Sequence, residues 1–154
     1  MYTKLITCLL SIFLLSLIST KIQAQSDNTL VINTIKQFFD CMREGDSTKV
    51  RAVMAPEARL LTVVEQKGKV MVPEVTLERF LTAIGSPQEA VWDERIGSYD
   101  VKIDDRLASV WTTYEFYLGE EFSHCGVNAF QLYKSYDGWK ILEITDTRRV
   151  DNCP

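Results

Sequence analysis

The spacing of apolar positions divides the chain into two regimes. Val31, Ile35, Phe38, Phe39 and Met42, with Ile32 alongside, recur every three or four residues and predict a first amphipathic helix. Gly45 follows where a helix end favours positive φ. Asp46 or Ser47 can cap a second short helix carrying Val50, Val53 and Met54, which should stop at Pro56. Arg59–Gln66 and Lys69–Val75 are rich in β-branched residues and flank Lys67-Gly68, the pattern of a hairpin. Thr76 then caps a third helix, in which Leu77, Phe80, Leu81 and Ile84 share one face, and Gly85-Ser86-Pro87 ends it. From Trp92 onward the period shortens to two. Four runs, 94–103, 107–118, 121–134 and 139–149, are joined by Asp104-Asp105, Gly119-Glu120 and Tyr136-Asp137-Gly138. Such short connections predict an antiparallel meander, and helices against a curled sheet make an α+β layer pair.

The first two dozen residues follow another rule. Lys4 precedes an apolar run from Leu5 to Ile18, after which Ser19–Ala24 turns polar and ends on a small residue. That order predicts a secretory signal peptide over 1–24, a domain over 25–154, and a periplasmic or secreted mature protein. The run falls short of the roughly 20 apolar residues of a membrane span, so the mature form is expected to be free of the membrane; an uncleaved anchor is the alternative. Cys8 lies inside the run, not after it, and so is no lipid-attachment site.

Cleavage after Ala24 changes the charge. The chain has 17 basic and 21 acidic residues, and the leader takes Lys4 and Lys21 but no acid, leaving −6. An acidic domain without a Lys/Arg cluster is a poor partner for nucleic acid or anionic lipid. Three cysteines remain. Cys41 sits among Phe38, Phe39 and Met42 and reads as a buried thiol. Cys125 and Cys153 could pair and tie the C-terminal tail to the sheet; two free thiols are the alternative.

The segment Phe122-Ser-His-Cys-Gly-Val-Asn-Ala-Phe-Gln-Leu132, the stretch Gly138-Trp-Lys-Ile-Leu142, the run Asp146-Thr-Arg-Arg149 and the late Cys153 carry a resemblance. With the element order over 28–149, they resemble the nuclear transport factor 2-like superfamily (cystatin-like, SnoaL-like), and within it the bacterial branch labelled "putative lumazine-binding". The resemblance implies a cone: three N-terminal helices against a strongly curved, mainly antiparallel sheet, with a pocket between. The superfamily contains isomerases, dehydratases, cyclases, transport adaptors and binding domains, and its members often dimerise through the sheet. Fold alone therefore leaves function open.

Phosphate-binding, dinucleotide, CxxC, HExxH and GxSxG motifs are absent, so no cofactor is expected. With His124 as the sole histidine, a histidine-rich metal site is excluded, and no metal is assigned. Register arithmetic gathers a candidate site. A two-residue type II′ turn at Gly119-Glu120 sets Leu118 opposite Glu121 and Glu115 opposite His124. A three-residue loop over 136–138 sets Asn128 opposite Asp146 and Gly126 opposite Arg148. One face then holds Trp111, Glu115, His124, Asn128, Asp146 and Arg148. The other holds Val110, Tyr114, Phe116, Val127, Ala129, Trp139 and Ile141. Tyr99 and Tyr114 can line either side. A one-residue slip would move half the set.

Three functional readings follow. The first is an exported domain binding an unidentified small molecule in an apolar pocket. The second is a cofactor-free acid/base enzyme of isomerase or dehydratase type, with His124 exchanging the proton, Glu115 orienting it, and Asp146 or Asn128 positioning substrate. The third is an interaction domain, for instance a homodimer. Each residue also has a structural role available: His124 as a cross-sheet hydrogen-bonding group, Glu115 as a solvated carboxylate, Asp146–Arg148 as a rim ion pair, and Trp111 and Trp139 as core.

Overall fold

The computed structural model describes residues 27–154. The expected signal peptide lies outside these residues. Helix α1 spans 27–44. Its stripe is the interior of the domain: Val31, Ile35, Phe38, Phe39 and Met42 are all buried, and so is the free thiol of Cys41. Helix α2, Ser47–Val53, starts at Asp46, whose side chain accepts from the Lys49 N–H. It ends one residue earlier than expected, because Met54 already belongs to strand β1, Met54–Gln66.

Lys67 and Gly68 both take positive φ (53° and 73°), as a type I′ turn requires, and return the chain into β2, Lys69–Met71. The expected strand over 69–75 is broken at Val72-Pro73. β3, Glu74–Thr76, then pairs further back along β1, which keeps the proline, with no N–H to give, out of a ladder. The Thr76 side chain accepts from the Arg79 N–H and caps α3, Leu77–Gly85. The run expected over 94–103 is two strands, β4 (Trp92–Ile96) and β5 (Asp100–Asp104), parted at Gly97-Ser98-Tyr99; both pair with β6. β6 (Leu107–Leu118), β7 (Glu121–Ser135) and β8 (Gly138–Thr147) form the long meander.

The sheet runs β2-β1-β8-β7-β6-β4, and β1 lies parallel to β8. That single parallel ladder brings the first strand beside the last and makes a mixed sheet of a mainly antiparallel one. α1 packs into the concave face. Phe39 meets Phe130 of β7 edge-on at 6.0 Å, and Phe38 stacks on Phe80 of α3 at 5.8 Å. Val110, Leu132, Ile141 and Ile144 complete the interior from β6, β7 and β8. The architecture is the α+β cone expected from the chain: helices against a strongly curved sheet.

Beyond β8 the tail crosses back to the convex side. Arg149 and Cys125 exchange backbone hydrogen bonds at 2.8 and 3.0 Å, and Cys153 is disulfide-bonded to Cys125 with Cα atoms 5.6 Å apart. Among the described residues no helix is long and apolar enough to cross a membrane.

Candidate functional site

Two hairpins decide which side chains face inward. At Gly119-Glu120 the turn is the expected two-residue one: Gly119 has φ 60°, and Leu118 pairs with Glu121. One step further in, Tyr117 pairs with Phe122 but Phe116 pairs with His124, so Ser123 is an extra residue on β7. This bulge slips the register by one. Glu115 therefore pairs with Cys125 instead of His124, and it is exposed on the convex face, where the Tyr117 hydroxyl donates to it at 3.0 Å. Trp111, opposite Ala129, is likewise convex and 52% exposed. The expected pairing of Glu115 with His124 and the pocket role of Trp111 are both corrected. Tyr114 and Phe116 move the other way, onto the concave face, with Val127 and Ala129 on the convex one.

The second hairpin reaches the expected register by a different route. The turn has two residues, since Ser135 pairs with Gly138, and a bulge between Gln131 and Leu132 restores the count. Asn128 thus lies opposite Asp146, as the sequence predicts. The concave face gathers Thr112, Tyr114 and Phe116 from β6, His124 and Asn128 from β7, and Asp146 and Arg148 from the end of β8.

β4 adds a residue that the sequence analysis passed over. Glu94 pairs with Phe116 and so points inward, and Asn128 Nδ2 donates to its Oε1 at 2.8 Å and to Thr112 Oγ1 at 3.4 Å. The signal was available: in Trp92-Asp93-Glu94-Arg95-Ile96 the period of two sets Glu94 between two apolar residues on one face, while Asp93 pairs outward with Arg43 and Arg95.

These side chains form one network. Tyr114 Oη donates to the Thr147 carbonyl at 2.8 Å and approaches Asp146 Oδ2 at 3.3 Å; Arg148 Nε donates to the same Oδ2 at 2.7 Å. Burial, only partly offset by the Asn128 hydrogen bond, pushes the Glu94 carboxyl up to about 7, with Asp146 adding to the rise. Burial also raises Tyr114 far above the usual phenol range, helped by Asp146 and Glu94. His124 shifts down, through burial and then Arg148, and Asp146 offsets this only in part. The imidazole packs on Phe116 at 4.9 Å and edge-on to Tyr114 at 5.8 Å, with Ser123 Oγ 3.1 Å from Nδ1. Among the described residues no carboxylate hydrogen-bonds to it. The arrangement expected from the sequence, with Glu115 orienting His124, is not formed.

The network opens onto a two-part hollow. An inner chamber of about 110 Å³ lies between Phe38 and Phe39 of α1, Leu60 of β1, Phe80 of α3 and Ile144 of β8. An outer chamber of about 610 Å³ is bounded by Ala83, Trp92, Phe116, Leu118 and His124. Glu94, Asp146 and Arg148 line both and so mark their junction. Tyr99 lines neither: it packs half-buried against the core, near enough to Asp40 on α1 for that charge and burial to raise its hydroxyl. Among the described residues no three metal-ligating side chains converge.

Solved structures of the same shape are distant in sequence. A protein with a cystatin-like fold from Novosphingobium aromaticivorans, described as NTF2-like, superimposes with a TM-score of 0.69 at 9% identity, over 88% of this chain and 89% of the other. A "putative dehydratase from the NTF2-like family" of Streptomyces avermitilis gives 0.63 at 15% identity, over 82% and 99%. The β subunit of a "putative aromatic-ring-hydroxylating dioxygenase" from N. aromaticivorans gives 0.68 at 10%, over 82% and 92%. At such identities the likeness establishes the fold. No curated protein matches the chain. The sequence model of one family does match, over residues 26–145, and on that match the chain, with its NTF2-like fold, belongs to the family described as "Putative lumazine-binding".

Proposed function

We propose that this domain binds a small, largely apolar ring compound in its cone. The observation that carries the reading is the two-chambered hollow, whose aromatic and aliphatic walls converge on a few polar groups at Glu94, Asn128 and Asp146. Apolar walls supply affinity and a few fixed polar groups supply orientation, the usual division in small-molecule sites. The family description supports the binding of a small molecule. Native mass spectrometry of gently purified protein tests it: a stoichiometric small-molecule adduct is expected. Val75, on β3, lines both chambers, so Val75→Trp should remove the adduct while shifting the melting temperature by only a few degrees. An unliganded wild-type protein that also fails to bind apolar ring compounds would overturn the reading.

Export remains part of the proposal, supported by the leader pattern over 1–24; the test is whether the mature chain, recovered from a non-cytoplasmic fraction, begins at Gln25. A homodimer is supported by the convex face, where Leu107 and Trp111, on the same face of β6, are each 52% exposed. A strict monomer by light scattering at high micromolar concentration would exclude it.

A further inference from the structure

The charges around the hollow are unequal, and the imbalance says what kind of ligand fits. Asp146 holds Arg148 Nε at 2.7 Å, so that pair is self-compensated. Glu94 makes no ion-pair contact among the described residues: the one hydrogen bond its carboxyl accepts comes from the neutral Asn128, and the field of Arg148, which is held by Asp146, lowers its pKa less than burial raises it. Asn128 Nδ2 is in turn committed to Glu94 and Thr112. The junction therefore offers a ligand an acceptor in Glu94 that has no ion-pair contact of its own, while the neighbouring Asn128 amide is already in use.

The geometry points to a ligand that presents a protonated nitrogen, an amine or amidine on an apolar ring, to the Glu94 carboxylate. This rests on the cavity reading above and adds the chemistry of the ligand's polar end. The ring fills the chambers lined by α1 and α3, and the cation supplies the direct ion-pair contact that Glu94 lacks. A buried carboxylate without a counter-ion is costly, and a ligand that ends that isolation gains from doing so. A ligand offering only a carbonyl would instead need Glu94 protonated, as the donor.

The two cases have opposite pH dependence. Burial holds the Glu94 carboxyl at about 7. A cation favours the ionised carboxylate, so its affinity should rise about tenfold from pH 6 to pH 8, with close to one proton released per ligand at pH 6. An acceptor ligand should weaken over the same range. The other charged or titratable groups facing Glu94 are Asp146 and Arg148 from β8, His124 from β7, Tyr114 from β6, and Arg79 from α3 at the outer rim; α1 contributes only Phe38, Phe39 and Met42. Of these His124 could mimic the effect, because its protonation at low pH would also repel a cation.

Three isosteric probes make the test: 2-naphthylmethylamine, 2-naphthylmethanol and 2-naphthoate, titrated calorimetrically at pH 6 and pH 8 in two buffers of different ionisation heat. The amine is expected to bind at least tenfold more tightly than the alcohol at pH 8. That preference should vanish in Glu94→Gln, with thermal melts checking that the variant is folded, and persist in His124→Gln. Equal or better binding of the alcohol or naphthoate overturns this inference while leaving the cavity reading intact, as does a pH-flat affinity for the amine. Failure of all three probes overturns both.

Discussion

Glu94 sits where its ionisation opposes folding. Its carboxyl titrates near 4.5 as an unperturbed group and about 7 in the folded protein, where burial favours the neutral form. The stability it contributes is full below about 4.5 and is lost as pH rises through 7, since only the unfolded chain then gives up the proton freely. The difference amounts to on the order of 3 kcal/mol across that window. Glu94→Gln should therefore melt higher than wild type at pH 8 and match it near pH 5, a comparison that differential scanning calorimetry makes directly. Gly126 is a second residue-scale constraint. A Cβ there would lie 1.9 Å from the Thr147 carbonyl oxygen, the same atom that accepts from Tyr114. Backbone blocks that approach, so Gly126→Ala should cost at least about 2 kcal/mol in denaturant unfolding and disturb the Tyr114–Asp146 contact with it.

At the scale of elements, one extra residue decides the site. With Ser123 in the strand, His124 faces Phe116 and the cavity; a plain hairpin would have set it against Glu115. Deleting Ser123 should leave a regular ladder with His124 still opposite Phe116. We expect the variant to fold, to lose less than about 2 kcal/mol and to keep its disulfide, measurable by thermal melts and thiol titration. The helices, the strands of the meander and the Asn128–Asp146 pairing were legible in the sequence because they follow from periodicity and turn chemistry. The bulges were not, since Ser123 and its neighbours carry no residue that only a bulge would accept. The two bulges had opposite consequences. At Leu142 one cancelled an error in the assumed loop length, and at Ser123 the other converted a correct turn into a wrong face for Glu115 and Trp111. The parallel β1–β8 ladder was equally hidden, because nothing local in Met54–Gln66 specifies a partner some eighty residues away.

Across the whole molecule, the cavity and the disulfide occupy opposite faces of one sheet. Cys125–Cys153 closes a separation of 28 residues, which in the chain-entropy view stabilises by about 3 kcal/mol. Cys153→Ser should lower the unfolding free energy by up to that amount while leaving ligand affinity within twofold, because the tail lies on the convex side; calorimetry of both quantities on the one variant checks this. The interior thus has two separable supports. α1 and α3 shape the hollow from within, and the tail braces the sheet behind it.

The parallel ladder has one further consequence, for the order in which the molecule can come into being. Arg59 reaches Glu143 across 84 residues of chain, and Leu60 joins Ile144 in the wall of the inner chamber only when β8 docks beside β1. Loops of that length close slowly. A nascent chain has no complete binding chamber until β8 has been made, and the hollow should be the latest feature to mature during refolding, after the β6–β7 hairpin has formed.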